Sequence, residues 1–300
     1  MLNASRLKGI LPAIPTPVRA DGSVDEQAAA KLVGHLLAGG VDGLLPLGGT
    51  GEYGALSRAA RIRIASACAE CVAGRVPVIA GVLDPGYHDA LAAAYDFASA
   101  GVDALLVVTP YYTNPTQAGL CDYFLRFADE SPLPILLYEI PYRTRIALDP
   151  EVTHLLSRHE RIIGMKVCNT DMYHFLRVVA GVDKEFAVLS GEDSLFPLHV
   201  AAGANGGIVV TASLLPRTWR RMFDLVSQGR TQEALLLHRK LIPLINLAFA
   251  ETNPGPLKSV LDLVGVDAPE VLAPLVQPAF ELQARLRSEV EHLLGAYENA

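Results

Sequence analysis

Eight short apolar runs, each followed by a helix-like pattern, constrain this 300-residue chain more than any other feature. They are ILPAIPTPV, GLLPLG, VPVIAGV, ALLVVTP, PILLYEIP, IIGMKV, FAVLSGE and GGIVVTA. None alternates apolar with polar residues, so each reads as a strand buried on both faces, the condition of a parallel sheet covered by helices. Between the first two lies DEQAAAKLVGHLLAGG, in which Ser23 and Glu26 have the spacing of a capping box and a glycine pair stops the helix. After GGIVVTA, from Leu215 onward, only helical patterns remain. A doubly wound sheet has five or six such units, so the repetition predicts the α/β class and a TIM (β/α)8 barrel with a C-terminal helical extension. We place the barrel in residues 1–225 and the extension in residues 226–300.

Hydrophobic residues make up 51% of the chain and charged ones 19%, enough for a large core. A net charge of -7 without any Lys/Arg run argues against nucleic acid as a partner and for a small molecule. The start, MLNASRLKGI, has no apolar h-region, and no apolar run approaches a membrane span, so the expectation is a cytoplasmic protein with no membrane partner. Cys68 and Cys71 sit inside a helical pattern, and Cys121 and Cys168 form no second pair at zinc-ligand spacing, so no metal is expected.

In a barrel, chemistry gathers where the strands end. Of the six lysines only Lys166 closes an apolar run. It is either a barrel-mouth lysine paired with a carboxylate or a desolvated amine able to attack a carbonyl and form a Schiff base. Other strand ends supply company for the second reading. The loop Gly48 to Glu52, GGTGE, offers small residues, close backbone N–H groups and the Thr50 hydroxyl, a seat for a carboxylate. YEIPYRT brings the phenol of Tyr138 and, past a proline turn, Arg143. TPYYTNP carries Tyr111 and Tyr112, a pair that by itself suits packing or an interface. An amine, a phenol, a hydroxyl and a guanidinium at the ends of separate strands make a Schiff-base site with an acid/base group and carboxylate anchors.

The motifs GGTGE, TPYYTNPTQAGL, YEIPYRT, GMKV, LSGED, GGIVVTA and ETNPGPLK, in this order over residues 9 to 265, resemble the dihydrodipicolinate synthase/N-acetylneuraminate lyase family. The resemblance implies a homo-oligomeric barrel enzyme with no cofactor, which holds pyruvate or a related 2-oxo acid as an imine. Lys166 matches the Schiff-base lysine and Tyr138 the proton shuttle over it. Thr50 and the amides around it, Gly49 included, match the seat of the pyruvate carboxylate. Arg143 matches the arginine that receives the second substrate's carboxylate. Tyr112 matches a tyrosine inserted into a neighbouring subunit's site, and Gly191 and Ile208 match pocket-lining positions. The implied activity is condensation of pyruvate with an aldehyde, as in 4-hydroxy-tetrahydrodipicolinate synthase, or the reverse cleavage; a 2-oxo-3-deoxy sugar-acid aldolase and a 5-dehydro-4-deoxyglucarate dehydratase are the alternatives.

Several positions depart from the synthase pattern. Gly49 stands where a relay threonine is usual and has no hydroxyl to offer. Glu139 replaces an asparagine, and Arg145 stands where a glycine follows R-T. Tyr53, Arg58, Arg61 and Pro85 replace the serine, two histidines and asparagine of the lysine-feedback site in regulated members, with Tyr111 alone retained. Three rivals have weaker support. The Gly49 to Gly54 match to G-x-G-x-x-G has Glu70, inside a helical pattern, in the place of the required acidic residue, which disfavours a dinucleotide site. A pyridoxal-phosphate barrel lacks an evident phosphate loop, and a non-catalytic 2-oxo acid binding barrel leaves Lys166, Tyr138 and Arg143 together unexplained.

Overall fold

The computed structural model describes residues 2–298. Seven strands form one parallel sheet: β1 (Gly9–Ile10), β2 (Ile79–Val82), β3 (Ala104–Val108), β4 (Ile135–Glu139), β5 (Ile162–Val167), β6 (Ala187–Ser190) and β7 (Gly206–Gly207). Their order is β1-β7-β6-β5-β4-β3-β2, so β1 and β2 are the two ends. The run GLLPLG lies between those ends. Its Leu45 bridges Ala13, beyond β1, and its Leu44 bridges Val78, before β2, both in parallel. The barrel therefore closes, although the second of the eight expected strands forms only isolated bridges.

Prolines explain that correction. Leu45 N donates to Pro12 O at 2.9 Å and Leu44 N donates to Pro77 O at 2.9 Å, but Pro12, Pro46 and Pro77 have no N–H to return. Leu47 then turns into the left-handed region at φ 64°, which ends any pairing. Every residue of β2 through β6 is buried, as unbroken apolar runs require.

The first helix, Glu26–Ala38, is capped differently from expectation. Asp25 is the N-cap and accepts from Ala28 N at 3.0 Å. Ser23 instead closes a turn, its hydroxyl donating to Asp21 Oδ1 at 2.6 Å and its carbonyl accepting from Arg19 N at 2.8 Å. The shorter Asp25 carboxylate reaches the free amides once that turn has fixed Ser23 away from them. Past β7, the helix Pro216–Ser227 packs against β1, and the helices Thr231–Ala248 and Phe280–Leu293 form the extension. Among the described residues no helix is long and apolar enough to cross a membrane.

Candidate active site

Parallel register builds the centre of the site. Tyr138 of β4 pairs with Lys166 of β5, so the two side chains leave the sheet side by side. Lys166 Nζ lies 4.9 Å from the Tyr138 ring centroid, and each residue is only 5% exposed. Both line a cavity of about 770 Å³ with Gly49, Thr50, Arg143 and Gly191.

The chain buries two lysines, and the contrast between them is informative. Lys258, 1% exposed, donates to Glu52 Oε2 at 2.8 Å and to Thr16 O at 2.9 Å. Lys166 makes no ion pair or hydrogen bond through Nζ among the described residues. A buried ammonium needs a partner, as Lys258 has; an unpaired amine opening on a cavity is free to react. The carboxylate-paired reading of Lys166 thus finds no carboxylate within ion-pair distance, the acidic residues of the same cavity being Glu192, Asp193 and Glu251.

The Gly48 to Tyr53 loop is a tight turn that a side chain at residue 51 would prevent, since a Cβ there would come 2.7 Å from Leu47 N. Among the described residues the amides of Gly49 and Thr50 have no acceptor, and the Thr50 hydroxyl accepts from Asn253 Nδ2 at 2.8 Å. Two free N–H groups beside a fixed hydroxyl can seat a carboxylate. Asn253 belongs to the quoted ETNPGPLK motif, but its link to Thr50 spans 203 residues, a separation no local pattern reveals.

Arg143 projects from the short helix Pro141–Thr144 and stands near the gap at residue 49, where a Cβ would lie 3.8 Å from its guanidinium carbon. Its segment is tied down from behind by Glu139. That fully buried carboxylate accepts from Leu148 N at 3.2 Å and Asn169 Nδ2 at 3.3 Å and pairs with His174 Nε2 at 3.1 Å. The Glu139 carboxylate beside it raises the pKa of His174. Arg145 ends the short helix at φ 62°, the conformation that a glycine adopts at least cost, and its side chain faces solvent.

Burial raises the pKa of the Tyr138 phenol well above the ordinary tyrosine value, so it is protonated at neutral pH. Glu192, unremarked in the sequence reading, also lines the cavity, and burial pushes its carboxyl up to about 7. Gly191 sits against the lysine stem, where a Cβ would meet Lys166 Cε at 2.8 Å. Ile208 is fully buried, and from its segment Val210 is the residue that faces the cavity. Tyr112 does not line this chain's own cavity; it is 92% exposed and at φ 76°. Among the described residues no group of three or more His, Cys, Asp or Glu could hold a metal ion.

A second chamber, about 340 Å³ and mostly apolar, joins the cavity past Gly49 and Tyr138 and is lined by Tyr53, Leu83 and Tyr111. Beside it the Tyr53 hydroxyl donates to Asp84 at 2.5 Å, Arg61 pairs with Asp84 at 3.2 Å, and the Arg61 guanidinium carbon lies 3.8 Å over the Tyr53 ring. These groups satisfy one another and hold a guanidinium beside the chamber.

The fold and the site define a lysine-dependent, Schiff-base-forming lyase on a TIM barrel. Comparison with known proteins agrees, since residues 6–293 match the dihydrodipicolinate synthetase family, and the chain belongs to that family. It is 36% identical over 292 residues to the 4-hydroxy-tetrahydrodipicolinate synthase of Gluconobacter oxydans (strain 621H), covering 96% of this chain and 98% of the relative. Among solved structures it is similar to a protein described as the first monomeric dihydrodipicolinate synthase variant, at TM-score 0.92 and 30% identity, covering 96% and 97% of the two chains. It is also similar to dihydrodipicolinate synthase from Cyanidioschyzon merolae with lysine bound, at TM-score 0.91 and 29% identity, covering 95% and 98%.

With Tyr53, Arg61 and Asp84 closed on one another, free lysine at millimolar concentration should leave the initial rate of this protein unchanged. A clear fall in rate, relieved by dialysis, would show that the cluster opens.

Proposed function

We propose that this protein condenses pyruvate, held as an imine on Lys166, with an aldehyde that carries a carboxylate, aspartate semialdehyde being the leading candidate. The unpaired, buried amine of Lys166 beside the protonated phenol of Tyr138 carries this reading. The relatives' name, 4-hydroxy-tetrahydrodipicolinate synthase, supports the same reaction. In it, Nζ attacks the pyruvate carbonyl while Thr50 and the two free amides hold the carboxylate. The carbinolamine loses water with a proton from Tyr138, and removal of a methyl proton leaves an enamine. That carbon attacks the aldehyde, whose carboxylate is held by the Arg143 fork.

Gly49 gives the second reading its weight, because no hydroxyl at that position can relay protons between tyrosines. Cleavage of a 2-oxo-3-deoxy sugar acid and dehydration of 5-dehydro-4-deoxyglucarate use the same imine. A panel with purified protein separates them: pyruvate with aspartate semialdehyde, 2-oxo-3-deoxygluconate, and 5-dehydro-4-deoxyglucarate. Turnover of the semialdehyde, reduced roughly 10² to 10⁴-fold by Tyr138→Phe, is the expected result. Fast cleavage or dehydration of a sugar acid with no semialdehyde turnover would reject the synthase reading, and binding of 2-oxo acids with no turnover at all would favour a non-catalytic barrel.

Self-association is part of the proposal. Tyr112 holds a left-handed backbone while 92% exposed, a cost its own chain does not repay. A second copy that receives this ring beside its own Gly49 would repay it. Sedimentation should therefore show at least a dimer, weakened by Tyr112→Ala; a fully active monomer would contradict the arrangement.

A further inference from the structure

Glu139 follows Tyr138 in β4, so its side chain leaves the opposite face of the sheet and lies behind the cavity. It is fully buried there. Its Oε1 meets nitrogens from three separate segments: Leu148 N at 3.2 Å, Asn169 Nδ2 at 3.3 Å and His174 Nε2 at 3.1 Å. His174 belongs to the helix Met172–Gly181, whose first turn is capped by Asp171, and its side chain is 13% exposed. The bond to Leu148 N closes a loop over residues 139–148, and Arg143 stands inside that loop. Its far end is held as well, since Gln117 donates to Ala147 O at 2.8 Å and accepts from Asp149 N at 2.9 Å. The Arg143 guanidinium makes no ion pair or hydrogen bond of its own among the described residues, so its place is set by the segment that carries it.

We propose that Glu139 and His174 form a positioning pair for Arg143, holding the 139–148 segment so that the guanidinium meets the carboxylate of the second substrate, with a grip that weakens as the imidazole loses its proton. The proposal rests on the proposed condensation above and adds to it how the hold on the second substrate depends on pH. A protonated imidazole supplies the charge that makes burial of Glu139 tolerable, and a neutral one leaves the carboxylate buried without it. Such a carboxylate gains by reaching water, and to do so it must release Leu148 N. The loop then loosens at its closing bond. The usual asparagine at 139 would bring no charge to pair, so this pH dependence belongs to the chain's departure from the pattern. Of the other charged or titratable groups around the imidazole, Asp171 and Arg177 share its helix. From the helix Pro150–Leu156, Glu151 is engaged with Arg177, and His154 contacts the carbonyls of Arg177 and Val178. Glu139 raises the pKa of His174 above the ordinary imidazole value, so the pair is charged below that raised value and is lost as pH climbs through it.

The test compares wild type with His174→Asn, Glu139→Gln and the double variant from neutral to alkaline pH, measuring KM for each substrate, kcat and borohydride trapping of pyruvate. Wild-type KM for aspartate semialdehyde should rise about tenfold across the titration, the equivalent of weakening one charge-assisted hydrogen bond. Trapping and KM for pyruvate should follow the same course in wild type and variants. His174→Asn should show the raised semialdehyde KM already at neutral pH, with no further rise. The double variant buries no charge, and its amide oxygen can still accept from Leu148 N, so KM should return toward the wild-type value and stay flat with pH. Glu139→Gln alone should also lose the pH dependence. A wild-type semialdehyde KM that does not move with pH, or that moves alike in every variant, overturns this inference while the Schiff-base reading stands. So does a loss in His174→Asn that falls on kcat, pyruvate KM and trapping together and is not recovered by adding Glu139→Gln, which would mean a general loosening of the fold. No trapping, or no turnover of the semialdehyde, in the wild type removes the proposed function and this inference with it.

Discussion

Replacing Lys166 by alanine is expected to abolish the stable mass that pyruvate and borohydride add to this protein, and to reduce turnover to the level of a reaction without enzyme. The chain has six lysines, and an amine labels only if it is unprotonated, reachable and beside a group that helps expel water. Lys166 meets the last two requirements, since its Nζ opens on the cavity 4.9 Å from the Tyr138 ring centroid. Lys258, the other buried lysine, is engaged by Glu52 and Thr16 and cannot compete. Lys166→Arg should be equally inactive, because a guanidinium keeps its charge and is no nucleophile at neutral pH. Peptide mapping reads the result directly. Label on another lysine, or label persisting in Lys166→Ala, would overturn the assignment of the nucleophile.

The centre of this site was legible in the sequence for a physical reason. Parallel strands buried on both faces appear as unbroken apolar runs, so a polar residue closing one is conspicuous, and Lys166 and Tyr138 were each found that way. Their adjacency follows from the one register that pairs β4 with β5. Gly49 was conspicuous by lacking the side chain its motif leads one to expect.

What was not legible depends on separation along the chain or on competition between neighbours. Lys258 sits in a polar-looking helical stretch, and nothing local shows that it meets a carboxylate 206 residues away. Cys168 stands two residues after Lys166 and so on the same side of the sheet, but its thiol's bond to Gly191 O spans 23 residues and needs the third dimension. Ser23 and Asp25 both suit a cap, and the turn closed by Ser23 and Asp21 decided between them. The second strand reads as apolar and is buried, yet prolines at 12, 46 and 77 deprive it and its neighbours of the donors a continuous ladder needs.

Lys258→Met is expected to destabilise the protein by about 3–5 kcal/mol, a loss due to the carboxylate left behind more than to the contact removed. Glu52 is 5% exposed, and its second oxygen accepts from Leu272 N at 2.7 Å, so it cannot turn to water without giving up that bond. Burial already lowers the Lys258 pKa, with Glu52 opposing the shift, which marks the pair as costly to bury and harmful to halve. The ion pair joins three segments: Thr16 after β1, the loop that carries Thr50, and the C-terminal extension through Leu272 and Lys258 itself. Loosening it should therefore raise KM for pyruvate as well, because Thr50 is only two residues from Glu52. Adding Glu52→Gln should recover much of the stability, since the amide oxygen can still accept from Leu272 N and no charge remains unpaired. Urea unfolding of the wild type, both single variants and the double variant gives the coupling energy. A Lys258→Met protein within about 1 kcal/mol of wild type would mean that Glu52 finds water, and that the clamp beneath the Thr50 loop is weaker than its geometry implies.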